Sequence, residues 1–213
     1  MLFRSLKTRS ILLLNGTANM NDCIPLRNHR DFIEEQRPPF FQIAIPLDSD
    51  FSNVGKLFAF LPTEISTEMP VDINGMFFPV TSRKTIKFSD NDFDLEAVWN
   101  SFLFKSAALF FAQQSTKILE QVGNVTFIQL LEKFRILHQN TPKNSNGLNI
   151  AKRSFWEAIS GEAMNLKFIE SHTGELISPR QSVVLTREAT KYRTEISNWI
   201  PNLVSDEIGR AHV

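Results

Sequence analysis

The residue types that carry enzyme chemistry are thinly spread in this chain. Its four histidines, His29, His138, His172 and His212, lie far apart, and no two share a spacing that would put two metal ligands on one helix face. They read as surface or capping residues. Cys23 is the only cysteine, so neither an intrachain disulfide nor a cysteine metal cluster can form. Nothing local, such as a following helix start or a basic neighbour at fixed spacing, activates that thiol as a nucleophile. Glu34-Glu35 sit in a charged flank. Asp90, Asp92 and Asp94 open like a calcium loop, but the sixth position is Leu95 instead of Gly and the twelfth is Ser101 instead of Glu. These aspartates read better as an acidic lead-in to a helix, each stabilising its N-terminus by about 0.3–1 kcal/mol. The sequence contains no Gly-x-x-x-x-Gly-Lys phosphate loop, no Gly-x-Gly-x-x-Gly fingerprint and no His-Glu-x-x-His metal motif. One chemical candidate remains, Thr81-Ser82-Arg83-Lys84. Its two adjacent cations follow a strand containing Asn74-Gly75, and they could reach a phosphate oxygen or simply form a solvated turn.

The elements that must position these residues follow from periodicity. Residues 10–14 predict a short buried strand closed by the Asn15-Gly16 turn signal. Residues 26–36 predict a charged helix stopped by Pro38-Pro39. Residues 40–47 alternate as a strand, and residues 55–61 predict a second, ended by Pro62. After a polar turn, residues 70–80 predict a third, with Gly75 marking a bulge or a close backbone approach. Residues 85–88 add a short edge. The period then becomes helical. Asp94 is the expected N-cap of a long helix carrying Val98, Trp99, Phe102, Leu103, Leu109, Phe110 and Ile118, running to Gly123. Its broad apolar face predicts a position between layers. A second helix over 125–138 carries Phe127, Leu130, Leu131, Phe134 and Leu137, and a third covers 151–159. Strands at 166–169 and 182–185 are expected to pair around a His172-Thr173-Gly174 turn, ahead of a helix over 187–203 broken at Pro201. The reading is an α+β fold: a small mixed sheet covered by a long helix, followed by a smaller helical and hairpin region.

Composition sets the outer bounds. The 213 residues carry 23 basic and 23 acidic side chains, so no net field draws nucleic acid or anionic lipid. Apolar residues make up 42% and charged residues 22%, which excludes wholesale disorder. Nineteen Phe stand against one Tyr and three Trp, a bias towards a dry core: Phe58, Phe60, Phe77, Trp99, Phe102, Leu109 and Phe110 are its expected members. No apolar run approaches the ~20 residues of a membrane span. Lone Cys23 and the absence of an export signal predict a soluble, cytoplasmic protein.

One block of the sequence resembles a known family. Gly55-Lys56-Leu57-Phe58-Ala59-Phe60-Leu61-Pro62, then Met69-Pro70-Val71-Asp72-Ile73-Asn74-Gly75-Met76-Phe77-Phe78, then Ser82-Arg83-Lys84 and Trp99-Asn100 are similar to the sacsin repeat. In that repeat a Phe-Leu-Pro strand precedes a Leu-Pro-Val-His-Val-Asn-Gly strand, an Asn-Arg-Arg turn and a Trp-Asn helix. Residues 2–14 and 166–185, the latter with Gly174-Glu175-Leu176-Ile177-Ser178-Pro179, resemble the family's flanking segments. Asp72 stands where the family usually has His, and Lys84 cannot repeat arginine's bidentate fork.

The resemblance implies a fragment of a molecular chaperone or co-chaperone built on the ATPase fold of the ninety-kilodalton heat-shock chaperone. Its acidic-Asn helix and Gly-rich lid motifs are absent from this sequence, so the chain is expected to be no enzyme and to hold no cofactor by itself. ATP and magnesium would belong to the complete protein. The expected partners are a missing N-terminal nucleotide-binding domain and protein clients or co-chaperones, with no nucleic acid and no membrane. Arg83, then Lys84, are the expected contacts to the nucleotide phosphate, and Asn74-Gly75 mark the motif strand. Residues 1–122 are expected to follow or complete the nucleotide domain, and 123–207 to form the helical and hairpin region of the same repeat. Residues 208–213, Ile208-Gly209-Arg210-Ala211-His212-Val213, match one frame of a sequencing adapter and are expected to be foreign to the protein. The alternative is a non-enzymatic protein-interaction module or scaffold.

Overall fold

The computed structural model of the chain describes residues 10–23, 26, 38–47, 55–82, 84–89, 94–142, 147–184 and 202–204. They form an α+β fold in two compact units, residues 1–159 and 160–213. Residue 122, where a boundary was expected, lies inside the first unit, next to a break in a helix at Gly123, whose φ of 78° is left-handed. The predicted helix over 26–36 lies almost wholly outside the described residues.

Five strands make the sheet of the first unit: β1 (Ile11–Thr17), β2 (Phe40–Pro46), β3 (Lys56–Ala59), β4 (Leu61–Ser66) and β5 (Asp72–Gly75). Their order is β1-β2-β5-β3-β4, with β3 and β5 parallel and the other pairs antiparallel. Alternation decides β2, where Phe41, Ile43 and Ile45 are fully buried and their neighbours half-buried. β1 corrects the sequence reading, because Asn15-Gly16 continues the strand instead of turning it. Gly16 lies opposite Phe41, and a Cβ there would overlap the Phe41 ring. Such packing of an aromatic over a strand glycine restores the buried area that the glycine lacks.

The expected single strand over 55–61 is also corrected. The chain turns at Phe60, which takes a left-handed φ of 62°, and returns as β4 through the segment read as a polar turn. Pro62 opens no break, because β4 is an edge strand among the described residues and an edge tolerates a missing N–H. The third predicted strand is shorter, ending at Gly75. Residues 79 and 86 then bridge, and the Val80 N–H donates to the Thr85 carbonyl at 2.9 Å. The short edge expected over 85–88 is therefore the return arm of a small hairpin.

Helix α1 (Leu95–Gln113) starts where Asp94 accepts from the Ala97 N–H at 3.1 Å, the expected N-cap. It ends at Gln113, earlier than Gly123. Helix α2 (Ser115–Asn140) includes the Gly123 break, and α3 (Gly147–Ala163) is longer than expected, with Ile159 closing the first unit. α1 lies between layers, as its wide apolar face predicted. Phe110 meets Phe41 of the sheet edge-on at 5.5 Å, while Phe104 and Phe111 meet Phe155 of α3, and Phe111 meets Phe134 of α2. Each buried ring contributes roughly 1.5–3 kcal/mol. Of the expected core, Phe77 and Trp99 are fully buried, whereas Phe58, Phe102 and Phe110 are half-buried. Phe60 and Leu109 are each 59% exposed, the first at a turn tip and the second on the outer side of α1.

In the second unit, β6 (Ile169–Glu170) turns through His172-Thr173-Gly174 as expected, but its partner is β7 (Leu176–Ile177), not residues 182–185. The nearer partner closes the tighter loop. Val183 instead bridges Leu203 in parallel, and Ser171 bridges Val204. Leu203, the expected end of a helix, is thus extended, and residues 187–201 of that helix lie outside the described residues.

Candidate functional site

The motif residues of the sequence meet around the end of β5. Gly75 is buried, and a Cβ on it would come within 2.8 Å of the Phe77 ring and 3.2 Å of Leu103 of α1. The close approach inferred from sequence is therefore the seating of the sheet on α1. Asn74 lies on the opposite side of the sheet and ties strands together. Its Oδ1 accepts from the Phe60 N–H at 3.1 Å, and its Nδ2 donates to Gln42 Oε1 at 3.0 Å. Gln42 Nε2 in turn donates to Asn15 Oδ1 at 2.8 Å. This row of carboxamides crosses β1, β2 and β5 and ends on the backbone of the Phe60 turn.

Trp99-Asn100, the helical half of the motif, holds the chain that leaves β5. Trp99 Nε1 donates to the Met76 carbonyl at 2.8 Å. Asn100 is fully buried: its Oδ1 accepts from the Phe78 N–H at 2.7 Å, and its Nδ2 donates to the carbonyls of Phe78 and Lys87, both at 2.9 Å. One amide thus clamps both arms of the 76–88 hairpin to α1, satisfying its own polar atoms. Sequence reasoning treated Trp99 as core and gave Asn100 no role. Its signal in the sequence is the Trp99-Asn100 pair quoted for the resemblance.

Lys84 is engaged elsewhere. Its Nζ pairs with Glu64 Oε1 of β4 at 2.9 Å with both side chains largely exposed, and its carbonyl accepts from the Glu64 N–H at 2.8 Å. Among the described residues, no hydrogen bond or ion pair joins Lys84 to Asn74 or Gly75. Arg83, Asp90 and Asp92 lie outside the described residues. An open cleft of about 470 Å³ runs between the Phe60-Leu61 turn and residues 78–81. A second, of about 310 Å³, lies on the other side of those residues, bordered by Lys87, Asp94 and Glu96.

Neither cleft contains a nucleophile–base pair among its described residues, and no group of three His, Cys, Asp or Glu among the described residues could hold a metal ion. Cys23 is buried. On α2, the hydrogen bonds that Arg135 donates to Glu132 raise its guanidinium above the ordinary pKa, which leaves an always-charged group charged. No helix among the described residues is long and apolar enough to cross a membrane. No protein-family model matches the chain, and no curated protein or solved structure matches it significantly.

Proposed function

We propose that this chain is the part of a sacsin-like chaperone that follows the nucleotide-binding domain, acting on protein clients and depending on ATP only in the complete protein. The observation that supports this reading is the mutual fixing of its motif elements. Asn74-Gly75, Trp99-Asn100 and the Phe60 turn are separate in sequence, yet they bond into one rigid corner. We assign Arg83, then Lys84, to contact with the nucleotide domain in the complete protein. Among the described residues Lys84 makes an exposed ion pair with Glu64, and the sequence has no Gly-rich phosphate loop. No catalytic step is assigned to this chain.

The interaction-module reading has its own support in the Phe60-Leu61 turn. Both side chains are about 60% exposed beside the larger cleft, a placement suited to an extended apolar segment of a client. Light scattering of a heat-denatured model client separates the readings when ATP is added. Suppression of aggregation by the isolated chain, unchanged by ATP, with ATP dependence restored in the complete protein, fits the chaperone. Suppression that stays ATP-independent in the complete protein fits the module, and no suppression by either form contradicts both.

A further inference from the structure

The end of α2 carries an arrangement in which one nitrogen faces two incompatible partners. His138 Nε2 lies 2.7 Å from Arg153 Nη2 of α3 and 3.3 Å from Glu157 Oε1, one turn further along α3. A guanidinium can only donate, so the short contact requires Nε2 to be a bare acceptor and places the ring proton on Nδ1. A carboxylate can only accept, so the longer contact becomes a hydrogen bond once Nε2 gains a proton. Arg153 is otherwise well held: Nη1 donates to the carbonyls of His138 at 3.1 Å and Thr141 at 3.2 Å, two of the last carbonyls of α2. Its Nη2 is 3.5 Å from Glu157 Oε1, and its side chain is only 14% exposed.

We propose that His138 is a proton-operated selector at the joint of α2 and α3, bonded to Arg153 when neutral and to Glu157 when protonated. The proton comes from solvent and rests on Nε2; no other bond changes. Once Nε2 carries a proton it has no lone pair left to accept from the guanidinium, so that hydrogen bond must break. Arg153 retains the two carbonyls and Glu157. Among the described residues, the charged groups bonded to the ring are Arg153 and Glu157 from α3, while on its own helix Arg135 is tied to Glu132.

Nitrogen-15 NMR on the full chain tests the proposal. At the alkaline end, His138 should show a bare Nε2 and a protonated Nδ1. As the ring titrates, the Arg153 Nη protons should lose protection and exchange faster by about tenfold or more, the loss of one charge-assisted hydrogen bond. In His138→Gln the amide oxygen accepts at every pH, so the Arg153 response should vanish between pH 5 and 8. A bare Nδ1 in the neutral ring, or an Arg153 response identical in the wild type and His138→Gln, overturns the proposal. If His138→Gln fails to fold, the tautomer and the Arg153 response in the wild-type chain decide it alone.

Discussion

Replacing Asn100 tests most sharply how the motif corner is held. Its side chain makes three hydrogen bonds from a fully buried position, one accepted from the Phe78 N–H and two donated to the carbonyls of Phe78 and Lys87. Each such bond contributes roughly 0.5–1.5 kcal/mol, and a buried partner deprived of it costs about 1–3 kcal/mol. Asn100→Leu fills the volume and removes only the bonds, so it should cost about 3–5 kcal/mol, a large part of the roughly 5–15 kcal/mol of a typical fold. Asn100→Asp should be worse, because it turns a carboxylate towards two carbonyl oxygens in a dry site. Urea unfolding followed by tryptophan fluorescence gives the global loss. Hydrogen exchange at the Phe78 amide reads the clamp locally, so it stays interpretable if the two units unfold separately. A loss under about 1 kcal/mol for Asn100→Leu, with Phe78 still protected, would refute the clamp.

Gly75→Ala pushes a methyl against the Phe77 ring and Leu103, and should cost about 1–3 kcal/mol in the same urea assay. Lys84→Ala removes an exposed ion pair and should change stability by less than about 1 kcal/mol, with the remaining effect lost in high salt. Phe60→Gly relieves a left-handed φ worth about 1–2 kcal/mol while adding chain entropy of about 0.5–1 kcal/mol. Its melting temperature should stay near wild type, and its client protection should fall if the turn touches clients. Arg83→Ala in the complete protein should slow ATP turnover, measured as phosphate release; an unchanged rate removes Arg83 from the phosphate-contact role.

The parts of the fold legible in the sequence are those decided by local rules. The alternation of β2, the Asp94 cap and the Gly123 break each depend on a few neighbouring residues, and each lies where those rules put it. The misreadings share a different cause. Asn15-Gly16 looked like a turn because the ring that covers Gly16 comes from Phe41, distant in sequence. Pro62 looked like a strand end because its tolerance depends on β4 being at an edge, which no local residue reveals. The Phe60 turn was hidden because a bulky side chain is among the least suited to a left-handed φ, and its amide is held by Asn74. In the candidate site, Asn74-Gly75 and the two cations stood out by type. Asn100 did not, since its partners, Phe78 and Lys87, are brought to it only by folding.

The central proposal, a larger sacsin-like chaperone of which this chain is a part, is tested most directly by a full-length transcript read through the coding locus. The account predicts an open frame running upstream of Met1 into a domain with the acidic-Asn and Gly-rich nucleotide motifs, and running on past Glu207. In-frame stops immediately outside both ends would contradict it and leave the interaction module as the function of the chain.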